Sequence, residues 1–176
     1  MARNRLLVVD ANLPKSLAGS IRKRGRDAVS VADLGLSKDV KDPELLRGLA
    51  ALYDGEREWT LVTGDDAMPA EHGPVIIETH ATVATIFPEY PEDVTEHAWN
   101  VDVVHRWAHA MQEQNTGTVR RYNLAASVPW RPRRRHIRTI AKKNLNPWRH
   151  EDAAAAGAID GGVAPAAHEP RLPGFD

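Results

Sequence analysis

Strand and helix signals alternate through the first 80 residues, and this alternation constrains the fold more than any other feature. Apolar runs of strand length occupy residues 5–9, 27–31 and 59–63. Between them, residues 12–25 and 42–55 carry leucine and isoleucine at helical spacing, and each segment ends in glycine. Units of this kind have parallel strands joined by right-handed crossovers. The sequence therefore predicts an α/β fold with a mainly parallel central sheet.

Further elements and helix caps are predicted along the chain. Val75–Glu78 is apolar enough to be a fourth strand, Glu96–Met111 has helical spacing, and Thr118–Tyr122 is typical of a short strand. Asn12 is expected to cap the first helix, and Asp42 the second helix, where a proline follows it.

The chain of 176 residues has room for one domain and a tail. We place the domain at residues 1–140 and predict that the Ala/Gly/Pro-rich residues 151–176 are disordered. The absence of cysteine excludes disulfides, thiolate zinc sites and a cysteine nucleophile. No apolar run approaches the roughly 20 residues that span a membrane, so we expect no membrane association and a cytoplasmic protein.

The small net charge conceals a strong segregation of charge. Residues 1–113 carry 12 Lys or Arg against 19 Asp or Glu, a net of −7, whereas residues 114–150 carry 10 Lys or Arg and no acid. The basic segment, residues 119–150, contains Trp130 and Trp148 as well as its arginines. Such a segment is typical of a surface for nucleic acid, RNA or DNA, or for an acidic partner, and it can equally be a solvated face. The arginines that we assign to RNA binding are Arg131, Arg133, Arg134, Arg135 and Arg138.

Carboxylates stand where two predicted strands end. Asp10 follows the first strand, and Asp65 and Asp66 follow the third. If these strands are adjacent, their carboxylates emerge on one edge of the sheet, where Asp42 or Glu44 could complete a cluster of three acids. Oxygen ligands of this kind suit Mg²⁺ or Mn²⁺, which assist chemistry on phosphates. The alternative is structural: these acids cap helices and form turns.

Several motifs in residues 5–80 resemble a compact bacterial PIN-like family. The motifs are Val9-Asp10-Ala11-Asn12-Leu13-Pro14, Ile21-Arg22-Lys23-Arg24-Gly25-Arg26-Asp27, Asp33-Leu34-Gly35-Leu36, Asp42-Pro43-Glu44-Leu45-Leu46 and Leu61-Val62-Thr63-Gly64-Asp65. Five motifs in the family's order are more specific than any one of them. The resemblance implies a three-layer α/β/α sandwich and a Mg²⁺- or Mn²⁺-dependent ribonuclease that leaves a 3′-hydroxyl and a 5′-phosphate.

The resemblance also implies roles for individual residues. Asp10 and Asp65 would be metal ligands, and Asp42 or Glu44 would be the acid carried by a helix. Thr63 would supply a hydroxyl near the metal, and Asn12 would be a supporting or capping group. Many relatives are toxins similar to the VapC type, which implies an antitoxin protein as partner and a homodimer.

Three positions depart from the family's pattern. Ala11 replaces an acid, and Ala67 and Met68 replace the last Asp and the Phe of the final motif. Asp66 stands one position early and is the remaining candidate for a further metal ligand. A site that lacks one acid would bind metal weakly or be inactive. The rival hypothesis is therefore a non-catalytic PIN-like module that binds RNA or a protein partner.

Overall fold

The computed structural model describes residues 5–36, 40–133 and 136. Within these residues the chain forms six strands and four α-helices. The elements are β1 (Leu6–Val9), α1 (Ser16–Lys23), β2 (Ala28–Ser30), α2 (Asp42–Leu52), β3 (Trp59–Thr63), α3 (Met68–Glu78), β4 (Val83–Ile86), α4 (Glu96–Glu113), β5 (Val119–Tyr122) and β6 (Ser127–Pro129). A 3₁₀ turn, Val31–Leu34, follows β2.

The strands form one sheet in the order β2-β1-β3-β4-β5-β6. All neighbouring pairs are parallel except β5 and β6. The chain passes from β1 outward to β2 and then returns to β3 on the other side of β1. This reversal creates a crevice at the carboxyl ends of β1 and β3, which is the usual location of ligand sites in open parallel sheets.

Helices cover both faces of the sheet, which agrees with the predicted three-layer arrangement. On one face, α1 and α4 pack against inward-facing strand residues such as Leu7, Val62 and Tyr122. On the other face, α2 and α3 pack against residues such as Val8 and Leu61. Strands β1, β3 and β4 are buried on both faces, and most of their residues are therefore apolar.

The predicted strand Val75–Glu78 is wrong, because these residues form the end of α3. The fourth strand is Val83–Ile86, eight residues later in the chain. Pro74 lies inside α3, and the backbone of His72 leaves helical geometry (φ −127°, ψ 23°), so the helix is kinked there. The apolar run after Pro74 is predicted as a strand because the kink interrupts the helical spacing of the apolar residues.

The helix boundaries correct two predicted caps. Helix α1 begins at Ser16, and its N-cap Lys15 makes no side-chain cap, so Asn12 does not cap this helix. Helix α2 begins at Asp42 itself, after Lys41, so the Asp42 carboxylate is in the first turn. Gly25, with φ 77°, follows the end of α1 as predicted. Since neither side chain caps a helix, both Asn12 and Asp42 can contribute to the carboxyl edge of the sheet.

No helix among the described residues is long and apolar enough to cross a membrane. The end of the predicted domain and the predicted disordered tail, residues 151–176, lie outside the described residues. The same holds for Arg134, Arg135, Arg138 and Trp148.

Candidate functional site

The carboxylates that follow β1 and β3 lie on the same edge of the sheet, because the two strands are adjacent. Val9 is in register with Val62, and the backbone N–H of Asp10 donates to the Val62 carbonyl at 3.0 Å. Asp65 comes two residues after the end of β3. Both acids therefore lie at the crevice where the strand order reverses.

The Thr63 hydroxyl connects the two acidic segments. It donates to Asp10 Oδ2 at 2.7 Å and accepts from the Asp65 backbone N–H at 3.1 Å. It also accepts from Asn12 Nδ2 at 3.0 Å. Because Thr63 is fully buried, a single hydroxyl orients the carboxylate of one strand and the turn of the next.

Asn12 joins the β1 loop to the β3 loop instead of capping a helix. Its side-chain oxygen accepts from the Gly64 backbone N–H at 3.1 Å, and its amide reaches Thr63. A Cβ on Gly64 would lie 3.3 Å from Leu13 Cδ2, which is tighter than ordinary van der Waals contact. The absent side chain at Gly64 therefore lets the two loops approach closely.

The environment of Asp10 disfavours its charged form. Burial raises the pKa of Asp10 above its usual value, and the negative charges of Asp42 and Asp65 raise it further. The hydrogen bonds from the Thr63 hydroxyl and the Ala11 backbone oppose the increase in this pKa. Asp42 and Asp65 are thus close enough to Asp10 to disfavour its negative charge.

Asp42 is the acid of α2 that acts on the site. Its charge raises the pKa of Asp10, whereas Glu44 is exposed and is absent from the causes of that shift. Asp42 Oδ2 also lies 3.3 Å from His72 Nε2, at the kink of α3. Of the two acids that the sequence left open, Asp42 and not Glu44 lies near Asp10.

The donor chemistry of this cluster fits a hard divalent cation. Asp10 accepts one hydrogen bond at each oxygen, and Asp65 Oδ1 accepts one from the Ala67 backbone N–H at 2.8 Å. A carboxylate oxygen with one such bond keeps a further lone pair for a ligand. In the part of the chain that the structure describes, however, no three His, Asp or Glu residues are already grouped as a metal site. The carboxylates would have to close around an ion.

Comparisons with protein-family models, with curated proteins and with solved structures found no match for the chain. The membership of the PIN-like family therefore stays a prediction from the sequence motifs.

Asp66, predicted as a further metal ligand, is engaged elsewhere. Its side chain is only 2% exposed, and its oxygens lie 2.5 Å from Arg121 Nε and 3.1 Å from Arg121 Nη2. The Thr85 hydroxyl donates to Asp66 Oδ1 at 3.2 Å. Consecutive acids in one turn thus have opposite environments: Asp65 is half-buried at the sheet edge, and Asp66 is enclosed in an ion pair.

The start of the basic segment is partly available to a ligand. Arg131 is exposed, and Arg133 lies over the Phe87 ring, with its Cζ 4.0 Å from the ring centroid. Arg133 also pairs with Glu89 at 2.7 Å. Trp130 is fully buried, so it does not offer a stacking face to an RNA base.

Sequence reasoning missed the buried ion pair and its surroundings. Arg121 is two residues after Val119 in β5, and both are buried. An arginine at an inward position of a strand is a signal for a buried acidic partner. Nothing in the sequence indicated that this partner would be Asp66 instead of another acid.

Proposed function

We propose that the protein is a metal-dependent ribonuclease whose centre is formed by Asp10, Asp42 and Asp65. The observation that supports the proposal is the proximity of Asp42 and of Asp65 to Asp10, at the crevice beside β1 and β3. Mutual repulsion at a half-buried acid is relieved by a bound cation, which is how such clusters are used in proteins. The motif resemblance supplies the reaction class.

The chain's own residues have distinct parts in this proposal. Asp10, Asp42 and Asp65 would hold Mg²⁺ or Mn²⁺, and the bound ion would activate water and stabilise charge on the phosphate. Thr63 fixes the direction of the Asp10 carboxylate, and Asn12 holds the β1 and β3 loops together. Water would add to phosphorus and the P–O3′ bond would break, giving a 3′-hydroxyl and a 5′-phosphate.

The experiment is a cleavage assay on a mixed RNA panel of structured RNA, single-stranded RNA and tRNA. We expect cutting in Mn²⁺ or Mg²⁺, none in EDTA, and a loss of at least 100-fold in Asp10→Asn and Asp65→Asn, on the scale of losing a group essential to the chemistry. Glu44→Gln is the matched control, because Glu44 lies on the same helix as Asp42 but is exposed. Unchanged cleavage by Asp10→Asn and Asp65→Asn contradicts the proposal.

The second candidate function is a non-catalytic RNA-binding or partner-binding module. It is favoured by the engagement of Asp66 with Arg121 and by Ala67, since together they leave the site short of one acid. This candidate predicts RNA binding that survives EDTA and weakens as salt rises, with no cleavage at any metal concentration. The same RNA panel therefore separates the two functions.

The toxin role, an antitoxin partner and a homodimer are supported by the resemblance alone. An acidic or DNA-binding protein that co-purifies with the chain and suppresses its cleavage would support the pairing. Full cleavage activity in the presence of that co-purified protein would count against the pairing.

A further inference from the structure

Asp66 and Arg121 contact the part of the chain that follows β6, where the Trp130 backbone N–H also donates to the Val119 carbonyl at 2.9 Å. Trp130 Nε1 donates to the Asp66 backbone carbonyl at 3.1 Å, and Arg121 Nη2 donates to the Arg131 carbonyl at 3.2 Å. His136 is buried, with its Nε2 3.8 Å from Asp66 Oδ2. We call residues 130–133 the anchored segment. The groups that hold this segment belong to Asp66, in the turn after β3, and to Arg121 in β5.

Trp130 fixes the start of the anchored segment in the domain core. The Trp130 ring is fully buried and is stacked on the His136 ring, with centroids 5.7 Å apart and planes 12° apart. The Arg121 guanidinium lies 5.5 Å from the Trp130 ring centroid and 5.9 Å from that of Phe87. A cation between two aromatic rings is stabilised by both. The segment is therefore a fixed part of the domain and not a loosely attached tail.

This packing places positive charge at the carboxyl edge of the sheet. Phe87 directly follows β4, and β4 is paired with β3, whose end leads to Asp65. The guanidinium of Arg133 lies over Phe87, and the side chain of Arg131 is exposed. The Arg133 guanidinium, which also pairs with Glu89 at 2.7 Å, thus lies at the same edge as the acids, and Arg121 holds the Arg131 carbonyl beside Asp66. Phosphates that approach a cluster of carboxylates are repelled, and nearby arginines offset that repulsion.

Stability alone does not account for a buried ion pair at this position. Taking two charges out of water costs several kcal/mol per ion, and apolar residues of similar volume are often as stabilising. The pair instead fixes the orientation of the Arg121 guanidinium. This group donates to one particular backbone carbonyl, that of Arg131. A charged pair that specifies one arrangement is a recognised use of such groups.

We propose that Asp66 is a positioning residue that holds Arg131 and Arg133 where they bind backbone phosphates of single-stranded RNA. The inference rests on the proposed function in taking RNA as the substrate, but it requires no metal. It assigns adjacent acids of one turn to different tasks: Asp65 to the metal centre and Asp66 to the substrate-binding arginines.

The test is the salt dependence of RNA binding in EDTA, measured by fluorescence anisotropy with a labelled single-stranded 12-mer. Each lost phosphate contact reduces the slope of log K against log salt by about 0.7 for single strands. We expect the double variant Arg131→Ala/Arg133→Ala to bind the RNA about 10-fold more weakly at low salt. The slope of log K against log salt should be less steep by about 1.4. Asp66→Asn should reproduce most of both changes although it removes no positive charge.

A second variant guards against misfolding of Asp66→Asn, which leaves Arg121 buried without its counter-ion. In Asp66→Leu/Arg121→Met, apolar side chains replace the pair, so the fold is kept while the hydrogen bond to the Arg131 carbonyl is lost. Circular dichroism reports the fold, and the rate of tryptic cutting after Arg133 reports release of the segment. Arg47→Gln is the control, since Arg47 pairs with Glu78 on the surface away from these contacts.

The outcomes distinguish the two proposals. Weaker binding with a lower slope in both Asp66 variants, and not in Arg47→Gln, supports the positioning role. Wild-type affinity and slope in a folded Asp66 variant overturn the positioning role and leave the proposed function standing. No RNA binding by the wild type in EDTA overturns the positioning role, whereas cleavage in Mn²⁺ or Mg²⁺ tests the proposed function separately.

Discussion

Asp10 costs stability in the metal-free protein, because burial and two neighbouring acids raise its pKa in the fold. A raised pKa means that the contribution of Asp10 to stability is greatest below the unfolded pKa, near 3.8, and is lost as pH rises through the folded pKa. At pH 7 the buried charge therefore opposes folding.

We expect the stability of Asp10→Asn relative to the wild type to increase as pH rises from 3 towards 7 in EDTA, because the wild type ionises a buried acid over this range. The amide also leaves one of the two donors at Asp10 without an acceptor, a cost that is not tied to the charge. Thermal unfolding followed by circular dichroism measures the difference, with exposed Asp54→Asn as the control. A stability difference that does not change with pH would show that the charge of Asp10 is not a cost.

The Thr63 hydroxyl sets both the geometry and the pKa of Asp10. Thr63→Val keeps the volume but removes the hydroxyl, so it should destabilise the fold by about 1–2 kcal/mol and raise the pKa of Asp10 further. The rising limb of the cleavage rate against pH should then move to higher pH. Thr63→Ser, which keeps the hydroxyl, should behave like the wild type in this profile. Identical pH–rate profiles for Thr63→Val and Thr63→Ser would show that the Thr63 hydroxyl has no role in the site.

Individual site residues were predictable where the strand ends alone determine position. Asp10 and Asp65 follow strands whose pairing the sequence pattern made plausible, and the structure brings them to one edge. The choice between Asp42 and Glu44 was not predictable, because it depends on which way the first turn of α2 faces the sheet. The role of Asp66 depended on Arg121, a residue 55 positions away in the chain.

At the scale of elements, α3 is where local pattern and tertiary structure disagree most. Ile76 is fully buried in the face covered by α2 and α3, whereas Ile77 is only partly buried. We expect Ile76→Ala to lower the free energy of unfolding by about 2–5 kcal/mol, and Ile77→Ala by clearly less. Urea denaturation of the two variants measures this difference. A larger loss in Ile77→Ala would indicate that the face of α3 is assigned wrongly.

The other elements were predictable because their signals are complete. Strands β1 and β3 are continuous apolar runs, and α1 and α2 end before glycines with positive φ. In α3, Pro74 and the kink at His72 interrupt the signal. Strand β4 contains Thr85 and Ala84, so its apolar character is weaker than that of the segment wrongly chosen. The antiparallel β6 has only three residues, too few for a pattern.

At the scale of the whole molecule, the charge segregation seen along the sequence becomes spatial. Asp42 and Asp65 lie close enough to Asp10 to raise its pKa, and the anchored segment places the Arg133 guanidinium beside Phe87 at the same edge. An acidic centre beside fixed cations suits a ligand that carries both a metal and phosphates. The segregation of charge is evident in the sequence. The contacts that place an arginine at the same edge as the acids could not be predicted from it.

The measurement that tests the account most directly is Mn²⁺ binding, followed by electron paramagnetic resonance without any RNA. We predict that the wild type binds Mn²⁺ and that Asp10→Asn, Asp42→Asn and Asp65→Asn each bind it at least 10-fold more weakly. Glu44→Gln should bind like the wild type, since Glu44 is exposed and outside the cluster. Absence of Mn²⁺ binding, or equal weakening by all four substitutions, would contradict a metal centre formed by these three acids.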